Sequence, residues 1–193
     1  MANDRPGLRK GTLAALAGLT SAALLLTAVP LEESGRRVAV DIEVDGTARV
    51  RHVSGPQYLA AYRDIAGIPT ACDGLTARVR MGLRYTEAQC GAMLEAELVR
   101  HADGVMRCTP GLALAIPGRD HARAAAISLA YNIGVGGWCG STAARRINAG
   151  QIRAGCDAML AWDKARVGGV LRPVKGLTAR RQRERTLCLK DAA

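Results

Sequence analysis

Asp64 and Thr70 stand six residues apart in the stretch YLAAYRDIAGIPTACDGLT, residues 58–76. An apolar turn ends in Tyr62-Arg63-Asp64, Gly67 and Pro69 break any helix, and Thr70 opens a short extended run that stops at Gly74. This layout places a carboxylate and a hydroxyl on one hairpin, where both can aim at a single water molecule. A carboxylate that orients or deprotonates water is half of a glycosidase; the other half is a protonated acid across the sugar ring. Taken singly, Asp64 reads as a turn or cap residue and Thr70 as a β-forming one.

The elements that must hold such a pair are bounded by composition. A chain of 193 residues with 49% hydrophobic content can bury one core and one catalytic domain. Aromatics are 3% and Phe is absent, so the core must be built from Leu, Ala, Val, Ile and Met, which favours helices over a large sheet. A formal net charge of +10 would draw the chain to anionic polymers: nucleic acid, a membrane surface or bacterial cell wall. No basic run is interleaved with aromatics, which makes nucleic acid the weakest of the three.

Residues 11–29, GTLAALAGLTSAALLLTAV, carry no charge; Arg5, Arg9 and Lys10 precede them, and Glu32 and Glu33 follow. The positive-inside rule places residues 1–10 in the cytoplasm as a basic tail and everything after Pro30 outside, where the six cysteines can form disulfides. A span needs about 20 residues, so the segment is long enough, but Gly, Ala, Thr and Ser dilute it and make its insertion weak. It reads as a releasable anchor or, with Thr27-Ala28-Val29 as a small-residue cleavage site, as a signal peptide.

Residues 30–54 read as a linker, polar over 31–37, followed by a β-hairpin. Val38, Val40, Ile42 and Val44 alternate with polar or small residues, and Asp45-Gly46 signals a two-residue turn before a second extended run. After residue 76 the pattern turns helical. Thr86-Glu87-Ala88-Gln89 is a capping box for a helix to about His101; Asp120 caps a helix through Tyr131; Ser141 caps one ending at Gly150. Residues 151–162 form the next helix, Gly168-Gly169 and Pro173 mark a turn, and Thr178 starts a last Arg-rich helix to Cys188.

The stretch 58–76 resembles the core of the phage-type lysozymes (glycoside hydrolase family 24), which reads Glu, eight residues, Asp, five residues, Thr. Asp64 and Thr70 fall on its Asp and Thr, and Gly55 occupies the Glu position. SLAYNIGVGGWCGSTAARRINAG (128–150), CDAMLAW (156–162) and KGLTARRQRERTLCL (175–189) resemble further family signatures in order. The resemblance implies an α+β, lysozyme-like catalytic domain over 55–193, with a small β-containing lobe and a larger helical lobe, preceded by one N-terminal membrane helix. It implies a phage or prophage endolysin that hydrolyses the β-1,4 bond between N-acetylmuramic acid and N-acetylglucosamine. Such an enzyme is a monomer, needs no cofactor, and is held at the host inner membrane by a signal-arrest-release segment before becoming soluble in the periplasm.

On this resemblance Asp64 is the water-orienting base and Thr70 its partner, while Gly55 leaves the acid to another carboxylate. Asp73 ranks first as substitute, Glu43 on the added hairpin second, and Glu33 enters only if the membrane segment leaves the bilayer. Asn132, Gly134 and Arg180, with Arg181 beside it, fall at substrate-binding positions. Family positions for Cys72, Cys90, Cys156 and Cys188 imply the pairs Cys72–Cys90 and Cys156–Cys188, leaving Cys108–Cys139, one of fifteen connectivities. No zinc spacing is present, and His52, His101 and His121 are scattered. Two rivals remain: a peptidoglycan-binding relative without activity, and a lytic transglycosylase, which needs one acid and no attacking water.

Overall fold

Gly18 divides the N-terminal apolar segment. The computed structural model describes residues 7–64 and 66–192. In it, Gly18 adopts φ 90° and ψ 152°, ending α1 (Leu13–Ala17) and opening α2 (Leu19–Ser34). Both helices lie inside the molecule: Leu13, Ala14, Ala17, Ala22, Leu25, Leu26 and Val29 are almost fully buried. The expected single membrane helix preceding the catalytic unit is thus two helices within it. α2 has 16 residues, about 24 Å of helix. No helix among the described residues is long and apolar enough to cross a membrane. Arg5, expected in the basic tail, lies outside the described residues.

α2 runs through 31–34, so the expected linker is helix, closed by Gly35 in the left-handed region (φ 73°). The hairpin then follows as β1 (Arg37–Ile42) paired antiparallel with β2 (Ala48–Ser54). Its turn is longer than the Asp-Gly signal implies. Glu43 N–H bonds to the Thr47 carbonyl, enclosing a three-residue loop with Gly46 at φ 84°. The tip rests on the N-terminal segment, where Arg9 N–H donates to Asp45 O at 2.7 Å. Val50 on β2 packs against Gly91.

A second hairpin, β3 (Tyr58–Arg63) with β4 (Pro69–Cys72), pairs Tyr62 with Thr70 and Arg63 with Pro69. The capping box of Thr86 and Gln89 forms and starts α3, which runs past His101 to Cys108 (Glu87–Cys108). α4 (Asp120–Ile133) crosses the centre of the helical lobe, with Asp120 as its first residue and Arg119 at the cap. Its buried Ala122, Ala124, Ala125, Ala126 and Ala130 let neighbours approach closely. α5 (Val135–Cys139), α6 (Thr142–Asn148, capped by Ser141) and α7 (Ile152–Ala158) complete the layer. Gly168-Gly169 is the tip of a third hairpin, β5 (Lys164–Val167) and β6 (Val170–Pro173), before α8 (Lys175–Cys188). The result is α+β: among the described residues, three two-stranded sheets lie against a helical core. Disulfides join Cys72–Cys90, Cys108–Cys139 and Cys156–Cys188, the three pairs expected.

Candidate active site

The end of α2 delivers a carboxylate into a cleft of about 310 Å³. Glu33, Glu97, Arg100, His101, Tyr131 and Asn132 line it, with the backbone turn 74–77 forming the facing wall. Three helices meet here, two by their ends and one along its side. α2 stops one residue beyond Glu33, α3 presents Glu97, Arg100 and His101 along one side, and α4 brings Tyr131 and Asn132 in its last turn. A second hollow of about 390 Å³, more apolar, shares Leu75, Ala77 and Glu97 with the first and extends along α3 past Met93 and Tyr85. The two make a groove rather than a closed pocket.

Glu33 Oε1 accepts a hydrogen bond of 2.7 Å from Arg180 Nη1; its second oxygen has no partner among the described residues, and the side chain is 25% exposed. Arg180 belongs to a buried charge network. Glu184 Oε1 accepts from Arg180 Nε at 3.2 Å, Arg181 Nη2 at 3.0 Å and Ser128 Oγ at 2.8 Å. Arg181 Nη1 donates to Asn132 Oδ1 at 3.0 Å. Two arginines against Glu33 and Glu184 leave the network balanced, which is what makes its burial tolerable. Arg180 is 5% exposed, so it supports the carboxylate from beneath instead of meeting substrate as expected.

Burial pushes the Tyr131 phenol well above its ordinary range, reinforced by Glu33, Glu97 and Asp73, so it stands in the cleft as a fixed O–H. The His101 ring packs on it with centroids 5.0 Å apart, and its Nδ1 is 2.9 Å from the Glu97 carbonyl. The hydrogen bond from Arg100 holds the Glu97 carboxyl below its usual value against partial burial, with nearby Arg100 and His101 charge adding to the effect.

Asp64 and Thr70 are brought together, through Ile68. Asp64 Oδ1 accepts from the N–H groups of Ala66 (2.9 Å) and Ile68 (2.8 Å). The Ile68 carbonyl accepts from Asp64 N–H and from the Thr70 hydroxyl, both at 3.0 Å. Asp64 Oδ2 is free among the described residues, whereas Thr70 is 3% exposed. Strand β4, which carries Thr70, leads through Asp73 to Gly74 at the cleft wall, whereas Asp64 lies in the turn between β3 and β4.

The two carboxylates ranked as substitute acids are unsuited to the role. Asp73 is 1% exposed and gripped by Arg36, with Nε–Oδ1 at 2.8 Å and Nη2–Oδ2 at 2.5 Å. The guanidinium fork occupies both oxygens of the carboxylate and keeps it away from the cleft. Glu43 sits in the tip loop of the first hairpin, exposed and paired with Arg49 at 3.2 Å. Of the expected substrate contacts, Asn132 lines the cleft, while Gly134 is the positive-φ joint between α4 and α5. Glu97, Arg100, His101 and Tyr131 were not legible as site residues, because on a helix they share the spacing of ordinary half-buried positions. Glu33, placed after Asp73 and Glu43 among the candidate acids, would have ranked higher had residues 37–54 been treated as an insertion, which puts a Glu shortly before Tyr-Arg-Asp.

A carboxylate at a cleft between a helical lobe and a small hairpin, with a second carboxylate and a hydroxyl on that hairpin, defines a lysozyme-like glycosidase scaffold. Residues 55–184 match the family model described as phage lysozyme, a match that begins downstream of Glu33. The SAR-endolysin of Enterobacteria phage P21 is 35% identical over 185 residues, covering 95% of this chain and 96% of that protein. The endolysin of Salmonella phage P22 is 31% identical over 156 residues, 78% of this chain and 99% of its own. Among solved structures, an endolysin from Escherichia coli O157:H7 phage FAHEc1 superposes with a TM-score of 0.65 at 28% identity, over 86% of this chain and 90% of that one. The chain belongs to the phage lysozyme family and is of the SAR-endolysin type.

Proposed function

We propose that the protein is a muramidase that hydrolyses the β-1,4 bond between N-acetylmuramic acid and N-acetylglucosamine, with Glu33 as general acid. The observation that supports this most directly is the Glu33 carboxylate itself: anchored by one oxygen to Arg180, open at the other, and facing a groove. That open oxygen is the one a leaving glycosidic oxygen bound in the groove would meet. Asp64, through Oδ2, and Thr70 are the groups that would orient water on the opposite face of the ring, giving inversion. Tyr131 and Asn132 offer hydroxyl and amide groups to sugar substituents.

Before release, residues 11–29 would hold the chain in the inner membrane with its catalytic part in the periplasm. Support comes from the uncharged length, the basic and acidic flanks, and relatives whose name states the signal-arrest-release habit. The structure then corresponds to the released, monomeric state, in which those residues are core.

The test uses purified protein on chloroform-treated Gram-negative cells. Glu33→Gln should lower the rate by about 10²–10⁴, the usual contribution of a positioned general acid, and Asp64→Asn should do the same. Full clearing by E33Q would remove Glu33 from the mechanism. One observation favours a second reading: the burial of Thr70 suits acid-only lytic transglycosylase chemistry, in which no water attacks. Product analysis separates the two, since hydrolysis leaves reducing ends and transglycosylation leaves anhydro-muramic ends.

A further inference from the structure

We propose that Asp73 is a positioning residue for Glu33, acting through a buried clasp that fixes the end of α2 against the β4 hairpin. This rests on the reading of Glu33 as the acid. Residues 34–63, including the whole β1–β2 hairpin, separate Glu33 from Asp64, so the path of the chain does not set the distance between them. A contact between folded elements has to do so. Asp73 supplies it. Its Oδ1 lies 2.9 Å from Ser34 Oγ and 2.8 Å from Arg36 Nε, and its Oδ2 lies 2.5 Å from Arg36 Nη2. Ser34 and Arg36 flank Gly35, the left-handed residue that stops α2 just after Glu33. The clasp therefore grips the turn that aims the acid.

Its other side is firmly founded. Cys72, adjacent to Asp73, is bonded to Cys90 on α3, and Gly74, on the far side, lines the cleft. Arg36 and Asp73 are 3% and 1% exposed, so water cannot substitute for either partner. Glu33 is thus located twice, by the β4 hairpin through Asp73 and by the helical lobe through Arg180. The forked, planar geometry of the Arg36–Asp73 pair fixes orientation as well as distance.

The experiment measures kcat and KM on solubilised peptidoglycan for Asp73→Asn and Arg36→Lys, each well below its own melting temperature. Arg36→Lys keeps the buried charge and loses the fork, so it remains informative if Asp73→Asn fails to fold. The expected result is a fall in kcat of at least about tenfold with KM within about twofold, the signature of an interaction that matters only in the transition state. In an E33Q background, Asp73→Asn should cost almost nothing further, because residues acting as a unit are not additive. Folded variants with normal kcat, or a loss of equal size with and without Glu33, would overturn the proposal while leaving the acid assignment intact. Full activity of E33Q alone would instead remove the acid assignment on which it rests.

Discussion

At the scale of single residues, the site divides by how local its signals are. Asp64 and Thr70 are six positions apart on one hairpin, and the turn between them is bonded to both, so sequence spacing carried their geometry. Glu33 lies beyond an inserted hairpin, and a fixed spacing count from Asp64 reaches Gly55 instead. Asp73 was read as the substitute acid, because its partner Arg36 was not legible: nothing local links the two. Glu97 permits a prediction with a definite sign. Its carboxyl is held below the ordinary value of 4.5, first by the hydrogen bond from Arg100. A depressed carboxylate stabilises the fold above its unfolded value, and the contribution is lost as pH falls through the lower, folded one. Arg100 is 64% exposed, so screening limits the contribution to no more than about 0.5 kcal/mol. Glu97→Gln should therefore melt slightly below the parent at neutral pH, with the gap closing as pH falls below 4.5. A gap that widens in acid would contradict the assigned direction.

At the scale of elements, two helix caps and the two predicted hairpins were readable because their causes lie within a few residues: the Thr86–Gln89 box, the Ser141 cap, and Gly46 in its loop; Asp120, expected as a cap, is instead the first residue of α4. The linker expected at 31–37 was not, because Leu31, Glu32, Glu33 and Ser34 continue α2 across Pro30 once tertiary contacts hold it. Close approach between elements depends on missing side chains. A Cβ added at Gly104, within α3, would meet Val135 Cγ1 at 2.5 Å and Cγ2 at 2.9 Å. Val is stiff about χ1 and cannot swing away cheaply. Alanine in a helix interior is otherwise favoured over glycine by about 1 kcal/mol. The clash should win, so Gly104→Ala should destabilise by about 1–3 kcal/mol, read as a lower urea midpoint at unchanged slope. A raised midpoint would show that α5 yields.

At the scale of the whole molecule, the bias to helices followed from composition and the α+β class from the family resemblance, but the place of the N-terminal segment followed from neither. Hydropathy reports how apolar residues 11–29 are, and lipid and protein interior satisfy that demand equally. What decides between them in this structure is Gly18, which bends the segment, and the alanine-rich face of α4, which accepts it. Charge acts at the same scale. The cleft lining sets Glu33 and Glu97 against Arg100, so little of the net charge of +10 is carried by the lining itself. Long-range attraction should then speed encounter without altering the bond-breaking step. Screening length falls from about 10 Å at 0.1 M salt to about 3 Å at 1 M. Across that range, kcat/KM on whole chloroform-treated cells should fall severalfold, while kcat on a short uncharged chitooligosaccharide should stay within about twofold. A parallel loss on both substrates would place the salt effect inside the cleft, at the Glu33–Arg180 contact, and not on the surface.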